Sequence, residues 1–329
     1  MGTALRLGTA VQYIEKDFWA CWILDVLFNG LPAGGPRLLF KGGTSLSKAF
    51  GLISRFSEDI DITVFREDLG IAEGTETLLL PGTNARRRRL DAIKRACQGY
   101  INGDFRAGIG ARLAEAAAAA GLPAGCFRLS RDKADPDGQT LLFEYPGVVA
   151  AEGYVRSSIK IEAGAKSALV PHASRCIQPY IAADLQGADL RVCHVTTVLP
   201  ERTFWDKVIL LHGLRQWHDR RGELRQGGQR VSRHYYDVFC LLAADTDAVW
   251  RSNQVLAQDC AAHARLFFDM AGLGLDKARH GSYTLMPSGR MMDSVIRDYE
   301  AMAGMIFGRV PALEAVLAEV RQLQEQLNK

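Results

Sequence analysis

Phe40-Lys41-Gly42-Gly43-Thr44-Ser45-Leu46, followed by Arg55-Phe56-Ser57-Glu58-Asp59-Ile60-Asp61-Ile62, decides the reading of this chain. An apolar run ends in a glycine turn, and about one helix later two acids stand one residue apart. Asp59 to Val64 alternates with period two, as a strand does. On a strand, Asp59 and Asp61 project from one face, joined by Ser57 if the extended backbone starts early. Ile60, Ile62 and Val64 fill the other face. Two carboxylates this close repel each other and stay ionised most readily around a hard cation such as Mg²⁺. The rival reading is a solvated acidic strand end. A glycine turn that opens a helix offers backbone N–H groups, with the hydroxyls of Thr44 and Ser45, to anionic oxygens. Capping of that helix is the competing use of the hydroxyls. A cation beside an anion-binding turn suits a polyphosphate.

Working outward, residues 11 to 29 carry apolar side chains at helical spacing, and Leu31 to Pro36 break that helix. Arg37 to Phe40 form a short strand, Thr44 to Phe50 a short helix ended by Gly51, and Ser57 to Phe65 the acid-bearing strand. Residues 66 to about 150 read as an insertion. It holds a helix from Arg86-Arg87-Arg88-Arg89 to Tyr100, an alanine-rich helix from Arg112 to Gly121, and a hairpin. The hairpin pairs Phe127–Lys133 with Thr140–Tyr145 around Asp135-Pro136-Asp137-Gly138. Tyr154 to Ala163 returns as a strand with Ile159 and Ile161 on one side and Lys160 and Glu162 on the other. From residue 196 the pattern is helical. Pro200 sits in the first turn of a helix to Leu214, Arg215 to Ser232 reads as a polar, glycine-containing loop, and Arg233 to Ala244 as a helix. Further helices follow at about 252–270, 288–305 and 310–327.

The chain has 329 residues, 48% of them hydrophobic, and a formal net charge of +3. That is room for one large or two medium domains and no global attraction to nucleic acid. The seven cysteines include no C-x-x-C pair and are odd in number. This predicts buried free thiols in a reduced, cytoplasmic setting rather than a disulfide scaffold or a zinc ribbon. No apolar run is long enough for a membrane span and no signal peptide is evident.

Lys41-Gly42-Gly43-Thr44-Ser45-Leu46 with Ser57-Glu58-Asp59-Ile60-Asp61 resembles motif I of the DNA polymerase β-type nucleotidyltransferase superfamily and, more narrowly, the AbiEii/AbiGii toxin family. Glu15-Lys16-Asp17-Phe18-Trp19 resembles that family's N-terminal signature. Ile159-Lys160-Ile161-Glu162-Ala163-Gly164 resembles its third-acid strand. Glu201 to Lys207 and Arg233 to Asp237 resemble its lysine and aspartate motifs. The interval from Gly43 to Asp59 is slightly longer than usual in the superfamily, which marks the turn at residues 51–56 as unusual.

The resemblance implies an α/β (α+β) fold: a polymerase β-like nucleotidyltransferase core with a mixed sheet over residues 1–195, inserted at about 66–150. An α-helical domain at 196–329 would contribute Lys207 and Asp237 to a cleft. The expected metal ligands are Asp59 and Asp61, holding Mg²⁺ or Mn²⁺. Glu162 would be the third carboxylate, activating the attacking hydroxyl or sharing a second metal. Lys207 would neutralise charge on a nucleoside triphosphate and Asp237 would orient Lys207 through an ion pair. Lys41, Gly42, Gly43, Thr44, Ser45 and Ser57 are the nucleotide-binding candidates. Lys41 and Arg55 flank the site, with plain solvation as the alternative for each. A snorkelling surface lysine and a helix-start acid are the plain alternatives for Lys207 and Asp237.

Between Arg215 and His234 six arginines stand against Asp219 and Glu223. Arg215, Trp217, Arg220, Arg221 and Arg225 are the candidates to hold a phosphodiester backbone and stack on a base. Arg86–Arg89 form a second basic run. A solvated face is the alternative for each.

The expected activity is metal-dependent transfer of a nucleoside monophosphate from a nucleoside triphosphate to an acceptor, with RNA preferred. The resemblance adds a toxin role in phage defence or growth arrest, a separately encoded antitoxin and the 3′ end of tRNA as acceptor. Two rivals remain. One is transfer to a protein or to a small molecule such as an aminoglycoside, which an acid-lined acceptor pocket would favour. The other is a non-catalytic nucleotide-binding module, which the intact Asp59, Asp61, Glu162 and Lys207 disfavour.

Overall fold

Alternating side chains in the acid-bearing segment produce a strand whose apolar face is fully buried: Ile60, Ile62 and Val64 have no exposed surface. The computed structural model of the chain describes residues 1–57, 59–71, 83–148, 157–224 and 228–329. Glu58 of the motif, the start of the expected third-acid strand at Tyr154, and Arg225 lie outside these residues. The chain divides into two compact units, one of residues 1–50 and 56–198, the other of residues 51–55 and 199–329.

The first unit is built on a mixed sheet. Its strands are β1 (Leu38–Lys41), β2 (Asp59–Val64), β3 (Arg128–Arg131), β4 (Thr140–Glu144), β5 (Ser158–Gly164), β6 (His172–Ile177) and β7 (Val192–Val198). Across the sheet they stand in the order β3-β4-β5-β2-β1-β7-β6. β2 lies at the centre, antiparallel to β1 and parallel to β5. The expected hairpin is present as β3–β4, and β4 pairs with β5, so it extends this sheet. A short helix α1 (Gly2–Leu7) leads into α2 (Val11–Asp25), which packs against β5 and β7. Trp19 and Trp22 on α2 stack on Phe127, Phe143 and Tyr145, closing one face with aromatic area. Helix α3 (Gly42–Lys48) follows β1. The arginine run lies on α4 (Thr83–Tyr100), and the alanine-rich segment on α5 (Arg106–Ala119).

Strands β6 and β7 are not foreseen by the sequence pattern, and they correct the reading of the cysteines. Cys176 on β6 and Cys193 on β7 are disulfide-bonded, with Cα atoms 4.0 Å apart. The ladder shifts register between Arg175 and Ile177, which brings the two cysteines together. The other five cysteines are free thiols.

The second unit is helical. Its central element is α6 (Pro200–Arg221), with Pro200 in the first turn and Gly222, at φ 73°, ending it. It packs against α7 (Ser232–Ala244), the single turn α8 (Val249–Ser252) and α9 (Gln254–Phe267). α7 in turn packs against α10 (Arg290–Met302) and α11 (Leu313–Leu327). Phe204, Val208 and Leu211 are fully buried along α6. The expected loop from Arg215 is corrected: the helix runs seven residues past Leu214, to Arg221. Arg220 and Arg221 fall in its last turn, where cations complement the helix dipole. Residues 51–55 join this unit through a bridge between Arg55 and Ile306 and a hydrogen bond from the Phe307 N–H to the Ser54 carbonyl (2.8 Å). The turn singled out by its length therefore packs with the helices.

Candidate active site

The acids gather on one face of the sheet because three strands present their polar positions in register. Asp59 stands opposite Lys160 and Asp61 opposite Glu162 across the parallel β2–β5 ladder. On the other side of β2, Lys41 stands opposite Asp61. Lys41 Nζ lies 3.7 Å from Asp61 Oδ1, and Lys160 Nζ lies 2.7 Å from Glu162 Oε1 and 3.8 Å from Asp132 Oδ2. Burial would lower the Lys160 ammonium, but Glu162, Asp59 and Asp132 outweigh it and raise it. Among the described residues, four carboxylates against two ammonium groups make this face a place that holds positive charge. Sequence reasoning gives neither Lys160 nor Asp132 a role; the Lys-x-Glu alternation on β5 is the available signal for the former.

The glycine turn lies directly on this face. Gly42 has φ +79°, and a Cβ there would sit 2.0 Å from Asp61 Oδ2, so only glycine fits beside an undisturbed Asp61. Helix α3 starts at the turn. Thr44 donates its hydroxyl to the Asp59 carbonyl, and Ser45 donates to the Gly42 carbonyl at 2.9 Å. Both side chains are buried. The Thr44 hydroxyl thus ties the turn to β2, and the Ser45 hydroxyl closes the turn on itself. Ser57 is half-buried two residues before β2.

Helix α3 is also held from behind. Asp17 of α2 and Lys48 of α3 form a buried ion pair at 2.5 Å, and the Lys48 ammonium lies 3.2 Å from the centre of the Tyr180 ring. Asp17 also accepts a hydrogen bond from the Tyr180 N–H at 2.7 Å. The Glu15-Lys16-Asp17 signature therefore works structurally, by fixing the helix that carries the glycine turn.

Asp59 and Asp61 suit a magnesium-like ion in donor chemistry. Both are hard oxygen donors on one face beside a close backbone turn, and such an ion takes one or two carboxylates and completes its shell with water and phosphate oxygens. Among the described residues, no three His, Cys, Asp or Glu side chains stand close enough to hold a metal together. Glu162 is engaged by Lys160 instead.

In the helical unit, Lys207 and Asp237 meet. Lys207 Nζ lies 2.8 Å from Asp237 Oδ2, with Asp237 fully buried. Arg55 grips the same carboxylate through Nε (2.7 Å to Oδ1) and Nη2 (2.8 Å to Oδ2). Arg55 is therefore not solvated: its side chain is 4% exposed. Burial would push the Asp237 carboxyl up, and the Arg55 and Lys207 charges hold it well below the usual carboxylate range. Burial lowers the Lys207 ammonium.

Of the basic residues, Arg215 is tied to Asp219 at 2.8 Å and to the Met286 carbonyl, while Arg220 and Arg221 are exposed. The Arg221 guanidinium lies 4.7 Å from the centre of the Trp217 ring, whose edge packs near Gly272. A base stacking on that face of Trp217 would displace Arg221. On α4, Arg87 and Arg88 are included in the second basic run. No helix among the described residues is long and apolar enough to cross a membrane.

No curated protein matches this chain. Among solved structures it is similar to MenT4, a nucleotidyltransferase toxin from Mycobacterium tuberculosis, with 16% identity over 94% of this chain and 93% of that one and a TM-score of 0.39. Residues 25–323 match the family model described as nucleotidyl transferase AbiEii toxin, type IV toxin–antitoxin system. With nearly the whole chain inside that match, the protein belongs to the AbiEii family and is a nucleotidyltransferase toxin.

Proposed function

We propose that the protein transfers a nucleoside monophosphate from a nucleoside triphosphate to RNA, with the 3′ end of tRNA as acceptor and a divalent cation, Mg²⁺ or Mn²⁺, as cofactor. The family adds a separately encoded antitoxin as its partner, and we place the reaction in the cytoplasm. The observation that carries this reading is the close approach of Gly42 to Asp61, which sets the glycine turn directly beside one of the two acids. Asp59 and Asp61 would hold the cation, which when bound neutralises phosphate charge and fixes geometry. The turn at Gly42 and Gly43 binds and orients the triphosphate through backbone N–H groups, with Lys41 beside it. Glu162 takes the proton from the acceptor hydroxyl as that oxygen attacks the α-phosphorus and pyrophosphate leaves. Lys207, oriented by Asp237, supports nucleotide use. Arg220, Arg221, Arg87 and Arg88 supply phosphate contacts for RNA.

The test is incubation with Mg²⁺, each labelled nucleoside triphosphate in turn, and total cellular RNA. Label on an RNA band of tRNA size is the expected result. Label on protein would replace the acceptor, and no label with any nucleotide would overturn the reading.

A further inference from the structure

We propose that Arg55 is a positioning residue for nucleotidyl transfer: by gripping both oxygens of Asp237 it fixes the carboxylate that holds Lys207. The proposal rests on the role given above to Lys207. Arg55 lies 182 residues from Asp237 in sequence, yet Nε and Nη2 reach the two carboxylate oxygens at 2.7 and 2.8 Å. Such a two-pronged contact fixes the plane of the carboxylate as well as its position. Asp237 Oδ2 is then shared, with Arg55 Nη2 on one side and Lys207 Nζ, also at 2.8 Å, on the other. Lys207 is the flexible member of the three, a point charge on a four-carbon stem, and its position follows the carboxylate. The grip is rigid at its base, because the Arg55 backbone bridges Ile306 and the next helical-unit residue, Phe307, bonds back to Ser54.

Other charges also act on Lys207 within the helical unit. The groups facing Lys207 are Asp237, Arg233 and His234 from α7 and Arg55 from the 51–55 segment. His234 is held neutral by burial, which lowers it well below the usual histidine range. Among the described residues, Arg55 and Lys207 both contact the buried Asp237 carboxylate, and the charge of Arg233 also reaches Lys207. Burial lowers the Lys207 ammonium most, the charges of Arg55 and Arg233 lower it further, and Asp237 opposes them. Arg55 therefore acts on Lys207 twice, by placing its partner and by destabilising its charged form.

The experiment compares Arg55→Gln and Arg55→Lys with wild type in three measurements. These are thermal stability, nucleotidyl transfer against pH, and the titration of Lys207 followed by NMR of ¹³Cε-labelled lysine, assigned by the signal lost in Lys207→Ala. Arg55→Gln removes both grip and charge. Transfer at neutral pH is expected to fall by about a hundredfold, the scale of an ångström of misplacement. The Lys207 midpoint and the alkaline limb of the rate profile are expected to move up by about one pH unit, since a neighbouring cation is gone. Arg55→Lys keeps the charge and loses the fork, so transfer falls while the midpoint moves less. If Arg55→Gln does not fold, Arg55→Lys decides alone: a folded variant with the wild-type rate overturns the proposal. A rate loss in Arg55→Gln with an unmoved Lys207 midpoint also overturns it, because it would show a merely structural role. If Lys207→Ala itself transfers at the wild-type rate, the role of Lys207 in the reaction fails, and the midpoint shift still reports whether Arg55 controls Lys207.

Discussion

Asp61 extends its carboxylate into the space beside Gly42, so that a Cβ on Gly42 would lie 2.0 Å from Oδ2 and 2.8 Å from Cγ. The turn and the acid are thus fitted to each other, at a φ of +79° that L-residues rarely adopt. Gly42→Ala should force the Asp61 side chain aside and strain the turn. The expected cost in stability is about 1–3 kcal/mol, the range for a residue held in a sparsely populated backbone region. Transfer should fall by about a hundredfold or more if Asp61 holds the cation as proposed. Denaturant melts and single-turnover rates read the two effects separately, and a folded variant with normal rate would show that this close approach is not used.

Asp59→Ala and Asp61→Ala should each reduce transfer by about a thousandfold or more, several kcal/mol of transition-state stabilisation. The fold should survive, because both side chains are half-exposed and β2 is anchored by Ile60, Ile62 and Val64 on its other face. Circular dichroism checks the fold and labelled-nucleotide transfer the rate. Near-wild-type turnover by either folded variant would remove the acid pair from the reaction.

The parts of this protein that are legible in its sequence are those whose signal is local. Asp59 to Val64 shows its strand by alternation, and Pro200 marks the start of α6 by its backbone chemistry. What escapes a sequence reading depends on partners far away. His172 to Ile177 has no alternating apolar face, since most of it is exposed at the sheet edge. Without β6 and β7, nothing brings Cys176 and Cys193 together. Arg55 gives no sign of burial because its partner is on α7. The end of α6 looks like a loop because Arg215 to Arg221 is polar; its charges suit a helix C-terminus.

Asp237→Asn should destabilise the protein by about 3–5 kcal/mol at pH 7, because it removes the buried carboxylate that Arg55 and Lys207 both contact. The pH dependence has a definite sign. The folded-state carboxyl is depressed, so its contribution is fully present above the ordinary aspartate value near 4 and is lost as pH falls through the depressed folded value. The gap between wild type and Asp237→Asn should therefore be constant from about pH 7 to 5 and shrink only in stronger acid. Urea melts across that range measure it. A gap that already closes between pH 7 and 5 would mean that Asp237 is not held by these two cations.

The last prediction concerns the acceptor. Arg220 and Arg221 lie exposed in the last turn of α6, outside the ion pair that ties Arg215 to Asp219. If they contact RNA, Arg220→Gln with Arg221→Gln should weaken acceptor binding most at low salt. Each lost phosphate contact also reduces the slope of log affinity against log salt, by about 0.7 for single-stranded RNA and about 0.9 for a duplex. The double variant should therefore bind RNA with a slope shallower by about 1.4 to 1.8. Nucleotide affinity should stay the same, since neither arginine is among the groups assigned to the nucleotide. Trp217→Ala tests stacking separately. Its ring is covered by Arg221, so a base can stack there only by displacing that guanidinium. Stacking would make the substitution cost about 1–3 kcal/mol of RNA binding. Unchanged RNA affinity in Trp217→Ala would assign the ring to packing within the helical unit. An unchanged salt slope in the arginine double variant would leave the end of α6 as a solvated surface and move the search for the acceptor site to Arg87 and Arg88 on α4.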